Sequence, residues 1–252
     1  MQCMPALWRG CPMNARALSK VLVMLLAAIA ISACTRSLEV TYNPAAYQLP
    51  QANQLRSVAL GIAKFEDKRS WIDRSEPESL AYVMQQGAWK FGLTYHGKEF
   101  VPVQDLVQMM FVDEFKRAGV EQVKAIPTVL TKNAVPAMRT AAEQNRLAYV
   151  LGGRIHVFEV VNETGMWTVT SRRAITLEIT LLQAASGNPV LDTMVSQLDR
   201  QGEGMGVRHS TNVDRLMNTV FRQVVTQVIE QVAAKLALDP RAVHVRFALA
   251  ER

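Results

Sequence analysis

The chain alternates between two hydrophobic periods. Near the N-terminus of the body, "SVALGIAKF" (57–65) places Val58, Leu60 and Ile62 on one face and Ala59, Gly61 and Ala63 on the other, the period of a strand. The small second face predicts a helix packed close against it. From Val103, residues Leu106, Val107, Met110, Phe111 and Phe115 follow helical spacing up to Gly119, with Lys116 and Arg117 in the last turn, which predicts a helix over 103–118. "VEQVKAI" predicts a short strand, and 133–146 a second helix with Pro136 in its first turn. Three long strands are predicted at 148–161, 167–183 and 189–200. In the middle one Ile175, Leu177, Ile179 and Leu181 alternate with Thr176, Glu178 and Thr180, the signature of a half-buried antiparallel strand.

The last helix is the strongest signal. Val213, Leu216, Met217, Val220, Phe221, Val224, Val225, Val228, Ile229, Val232 and Leu236 trace one stripe, Thr211 with Asp214 suits a capping box, and Asp239-Pro240 ends it. Heptad stepping from Val213 reaches Val220 and then Gln227, so the stripe is expected on a sheet rather than in a coiled coil. "LEVTY" (38–42) and "AVHVRFAL" read as edge strands, and His96-Gly97 as a hairpin turn. The order predicts an α+β fold: a two-layer sandwich of a mainly antiparallel sheet with helices packed on one face.

One stretch obeys neither period. Val21 to Ala33 is a 13-residue apolar run interrupted only by Ser32, preceded by Arg16 and Lys20 and closed by "ISAC". At 1.5 Å per residue it spans about 20 Å, short of the roughly 30 Å hydrocarbon core of a bilayer. Its length, basic flank and small closing residues are those of a signal peptide; a short buried helix is the alternative. Met13 begins a segment that is itself a complete signal, so Cys3 and Cys11 are expected outside the mature protein.

"ISAC" resembles the lipobox of bacterial lipoproteins. The resemblance implies cleavage between Ala33 and Cys34 and covalent diacylglycerol and N-acyl chains, palmitate among them, on Cys34. Thr35 in the following position implies the outer membrane. The expected organisation is a signal peptide over 1–33, a lipid anchor and Pro- and Asn-rich tether over 34–56, and one periplasmic domain over 57–252.

Charge changes its meaning once this segment is set aside. The whole chain has net charge +6, but the first 34 residues hold Arg9, Arg16 and Lys20 and no acid, leaving 25 basic against 22 acidic residues. With no basic run in that remainder, nucleic acid is not expected as a partner. Cysteines stand only at 3, 11 and 34, so the body contains no disulfide or thiolate metal site.

Candidate chemistry is sparse. His96, His156, His209 and His244 show no ligand spacing, and no metal or cofactor is expected. "GEGMG" (202–206) lacks the Lys-Ser/Thr of a phosphate loop and reads as a connection. Glu66 and Asp67, adjacent on a strand, point to opposite faces; Asp67 is expected to cap the turn and pair with Arg69. Gly152-Gly153 suggests a bulge or close approach. Trp71 in a polar loop and the Arg172-Arg173 pair are candidate contact residues. The alternatives are that Trp71 folds back on the core and that the arginines are merely solvated.

The segments "SLEVTYNPAAYQLP", "SVALGIAKFEDKR" and "AYVLGGRIHVFEV" together resemble YajG-like outer-membrane lipoproteins, and more distantly the CsgG, PelC and TolB N-terminal lipoprotein domains. That resemblance implies a non-enzymatic binding or assembly module of the cell envelope with an unidentified envelope protein partner. A homo-oligomeric subunit of a polysaccharide or curli-like export complex is the alternative, and an enzyme acting on envelope polymers a second one.

Overall fold

The computed structural model describes residues 35–44, 55–86, 89–131, 134–164, 168–203 and 208–238. Ala33, Cys34 and Trp167, the Asp239-Pro240 stop and the C-terminal tail with its expected strand lie outside the described residues.

The hub is the longest strand. β7 (Tyr149–Thr164) pairs along its length, antiparallel, with β8 (Val169–Gln183), which pairs antiparallel with β9 (Pro189–Glu203). Its other side is shared by three shorter strands, all parallel to it. β2 (Ala59–Lys64) takes Tyr149 to Leu151, β3 (Glu66–Asp67) takes Arg154 and Ile155, and β4 (Tyr82–Gln86) meets Val160. β5 (Trp89–Thr94) pairs antiparallel with β4 and carries β1 (Thr35–Glu39) in parallel on its outer side, while β6 (Gln122–Val129) lies parallel outside β2. The sheet is therefore mixed, not mainly antiparallel. Alternation within a strand reveals which face is buried but not the direction of its neighbour. Pro127 is tolerated because β6 is an edge strand and its register with β2 slips there.

Helix α1 (Val103–Arg117) ends as expected. Gly119 adopts φ 99°, Gly119 N–H donates to Lys116 O at 3.1 Å and Val120 N–H to Phe115 O at 3.0 Å, a Schellman closure. The C-terminal helix runs as α3 (His209–Arg215), a π-helical turn (Leu216–Phe221) and α4 (Arg222–Leu238). Every residue of the predicted stripe is at most 4% exposed. It packs with α1 on the β2 face that carries Leu60 and Ile62, in one core cluster. The expected capping box is absent, because the helix starts two residues before Thr211. Asp214 instead accepts the backbone N–H of Thr41 at 3.3 Å.

A second, smaller cluster occupies the other β2 face. Ala59 and Ala63 join Met138 and Ala142 of α2 (Val135–Gln144), together with Ile126, Leu130 and Leu147. The helix predicted from the small face of "SVALGIAKF" is thus present, and helices do not all lie on one face. At Gly61 a Cβ would stand 2.5 Å from Ile126 Cδ1 and 2.7 Å from Leu147 Cδ1; alanine there would push these two side-chain ends aside.

The tether expectation fails at its start. Thr35 to Glu39 form β1, three residues earlier than predicted, and the chain stays docked beyond it. Val40 N–H donates to Thr94 O at 2.9 Å, and Asn43 N–H to Asn218 Oδ1 at 2.6 Å.

Candidate functional site

The groove-forming face of the sheet is opposite the C-terminal helix. Along β8, Ser171, Arg173, Ile175, Leu177, Ile179 and Leu181 are buried, while Arg172, Thr176, Glu178 and Thr180 are half-buried on the other side. Beside α2 that second side forms a groove of about 210 Å³. Leu130, Val135 and Leu182 line it as apolar walls, and Arg154, Glu178 and Asp192 bring charge to it.

Two glycines shape this groove. A Cβ on Gly152 would stand 2.7 Å from Leu130 Cβ. One on Gly153, at φ 153°, would reach 1.7 Å from the Glu178 carbonyl oxygen. That conformation is open to glycine alone. The expected close approach is real, though it is made by Leu130 and the β8 backbone rather than by a helix. The register slips nearby, between Ile155 and Val157, leaving His156 as an extra residue on β7.

Pairing across the strands assembles the charges. Arg154 is in register with Glu66 on β3 and Glu178 on β8. Lys68 Nζ contacts Glu66 at 2.6 Å, and Arg154 contacts Glu66 at 3.2 Å and Glu178 at 2.8 Å. His156 Nε2 contacts Glu178 at 3.1 Å. The hydrogen bond from Lys68 foremost holds the Glu66 carboxyl below the usual carboxylate range, against its burial. Burial works to raise Glu178, but His156 and Arg154 outweigh it and hold it low as well. The bonds to Glu178 raise Arg154 further above its ordinary value. Both carboxylates are thus kept ionised, unsuited to donating a proton near neutrality. The arrangement is fit to orient a polar ligand by charge. Among the described residues no group of three metal-ligating side chains is brought together.

Asp67 and Arg69 form the pair expected from sequence, but fully buried. Arg69 bonds Asp67 through Nε and Nη2, at 3.0 and 2.7 Å, and donates to the carbonyl oxygens of Leu80 and Tyr82. Trp71 is half-buried with its ring 5.6 Å from the Arg69 guanidinium, so it folds back rather than standing clear. Arg172 is half-buried and bound to Glu159 at 2.7 Å.

Arg173 is a correction. It is 0% exposed, donates from Nε to Asp199 at 2.9 Å and from Nη1 to Asn212 at 2.8 Å, and pins α3 to β8. It is neither solvated nor available as a contact residue. His209 packs on Phe91 with ring centroids 4.4 Å apart, and burial lowers its affinity for a proton. His96 lies in the Tyr95–Lys98 turn at φ 50°, and Gly97 follows at 71°.

No family model and no curated protein matches this chain, so its resemblance to YajG-like lipoproteins is not confirmed. Among solved structures it is similar to a Xanthomonas campestris protein of the DUF330 family model, 18% identical, with TM-score 0.45 over 82% of this chain and 97% of that one. It is also similar to the PelC dodecamer from Paraburkholderia phytofirmans, 10% identical, with TM-score 0.35 over 75% and 92%. A lipoprotein from Neisseria meningitidis is 12% identical, with TM-score 0.26 over 70% and 99%. At these TM-scores the likenesses assign neither family nor function.

Proposed function

We propose that this protein is a lipoprotein anchored through Cys34 to the periplasmic face of the outer membrane, acting as a non-enzymatic binding or assembly module in the cell envelope. The observation that carries the reading is the position of Cys34. It closes a basic and apolar signal-like segment, and the first strand among the described residues, β1, begins one residue later at Thr35. Three acyl chains, at roughly 0.8 kcal/mol for each buried CH₂, hold such a protein in a membrane durably. Among the described residues no helix is long and apolar enough to cross a bilayer, which suits attachment by lipid. The groove beside Arg154 is the place where a partner of the module would be held. Glu178 in the groove and Glu66 behind Arg154 are both held ionised, which favours recognition over acid catalysis.

The test is Cys34→Ala, with intact-mass measurement and membrane fractionation. The expected outcome is an unprocessed precursor without acyl mass. Normal maturation and retention in the outer-membrane fraction would refute the anchor.

A second reading, a subunit of an oligomeric export assembly, draws on β9. That strand pairs only with β8 among the described strands, and Met194 and Leu198 on its outer face are each 61% exposed. Unpaired edges and exposed apolar side chains invite self-association. A discrete high-mass species in detergent-free sizing of the chain from Thr35 onward favours this reading, and a single monomer sinks it.

A further inference from the structure

We infer that the end of the sheet where β1 and β5 begin lies directly on the membrane, with Trp89 and Arg36 in the headgroup layer of a phospholipid leaflet. The inference rests on the acylation of Cys34 proposed above and adds an orientation to it.

Its basis is that no spacer follows the anchor. Consecutive Cα atoms are about 3.8 Å apart, and Thr35 is already in β1, in register with Lys90. The strand is then held along its course. Thr35 to Glu39 run against β5, Val40 bonds Thr94, and Asn43 bonds the C-terminal helix. A flexible linker would let a lipidated domain drift over tens of ångströms. Here acyl chains on Cys34 bring the start of β1 to the bilayer surface, together with whatever stands beside it.

The strand registers identify those neighbours. Thr35 aligns with Lys90, and Lys90 with Gln85 on β4. Met84 aligns with Val160, one residue deeper. On the far side of β7, Val161 aligns with Arg172, and Arg172 with Arg200. Trp89 stands one residue beyond this row, 40% exposed, with the Arg36 guanidinium 5.3 Å from its ring centroid. Tryptophan and basic side chains are the groups that occupy the headgroup layer.

The other charges set the strength of the contact. Lys90 is paired with Glu76, Arg172 with Glu159 and Arg200 with Glu163, so the row as a whole is nearly neutral. Arg36 has no carboxylate partner among the described ion pairs and is free to meet a lipid phosphate. The acyl anchor therefore supplies residence on the membrane, and Trp89 with Arg36 supplies orientation. Arg172, expected from sequence to touch a partner, lies in the same row, engaged with Glu159.

The test uses the full acylated protein in vesicles of phosphatidylethanolamine and phosphatidylglycerol. The chain after Cys34 holds no cysteine, so Lys90→Cys and Lys98→Cys each offer one site for a nitroxide. Lys98 is an exposed control in the turn beyond the other end of β5, some 17 Å along the strand at about 3.3 Å per residue. The ratio of collisions with lipid-soluble oxygen to collisions with a water-soluble nickel chelate is measured at both. A several-fold higher ratio at position 90 is expected. Equal ratios in protein whose mass shows three acyl chains overturn the orientation and leave the anchor standing. A protein without acyl mass overturns the anchor and the orientation together.

Discussion

The two faces of the β7–β8 pair are built by different means. Toward the C-terminal helix, β8 presents Ile175, Leu177, Ile179 and Leu181, all 0% exposed, to Phe221, Val224 and Val228. Toward the groove it presents Thr176, Glu178 and Thr180, beside Arg154 and His156. The first face excludes water and is specified by volume. The second keeps partial contact with solvent and is specified by cross-strand charge. The contrast teaches where the molecule can change cheaply. A volume-filled face tolerates little, whereas an exposed ion pair contributes roughly 0–1 kcal/mol.

The strongest way to break that contrast is Val224→Asp. Val224 is 0% exposed inside the helix stripe, within the apolar core cluster. An unpaired buried charge costs several kcal/mol against a total stability of roughly 5–15 kcal/mol. The cooperative melting transition in circular dichroism should disappear or fall steeply. An unchanged melting curve would mean the stripe is not core.

Arg173→Met sharpens the contrast, because it asks whether a polar device on the volume-filled face behaves as core. The Arg173 side chain is fully buried, with Asp199 and Asn212 as partners. Removing it leaves the buried Asn212 amide short of a donor and Asp199 unpaired at this site. Breaking a buried pair from one side costs about 3–5 kcal/mol, reduced here because Asp199 is 32% exposed. A loss of about 3 kcal/mol in chemical denaturation is expected. The same change at Arg172, whose side chain is 35% exposed, should cost under about 1 kcal/mol.

That pair of arginines also shows what was legible in the sequence. Alternation places adjacent strand residues on opposite faces, a rule that separates Glu66 from Asp67 and equally separates Arg172 from Arg173. Applied to both, it would have put Arg173 on the face of Ile175 and Leu177. The long strands, α1, α2 and the helix stripe were all readable, because each repeats its period over several turns or pairs. β4 was not, since "YVMQQ" is too short to show a period. Parallel pairing to β7 was hidden because it depends on which strands meet, not on which faces are buried. Of the groove, Gly152-Gly153 gave the local signal. Its charges, Arg154, Glu178 and Asp192, come from β7, β8 and β9, and Glu66 on β3, which joins Arg154 from outside the groove, stands 112 residues before Glu178; only the register joins them.

The gentlest change probes the groove through acid. Glu66 and Glu178 both have folded-state affinities for protons held below their unfolded values. Groups shifted in that direction contribute stability that is fully present above the unfolded carboxylate range, about pH 4.3, and lost as pH falls through the lower folded values. Melting temperature should therefore be flat from pH 7 to 5 as far as these two groups are concerned, and fall below about pH 4. Glu178→Gln keeps the shape and removes one titrating partner of Arg154. Because the Glu178 side chain is 24% exposed, the substitution should cost less than about 1 kcal/mol at pH 7. It should also make the acid decline shallower, since one of the two linked protonations no longer occurs. A variant whose melting temperature follows the parent curve at every pH would show that the Arg154 network adds no folding energy. The charges of the groove would then be held in place by the strand register alone.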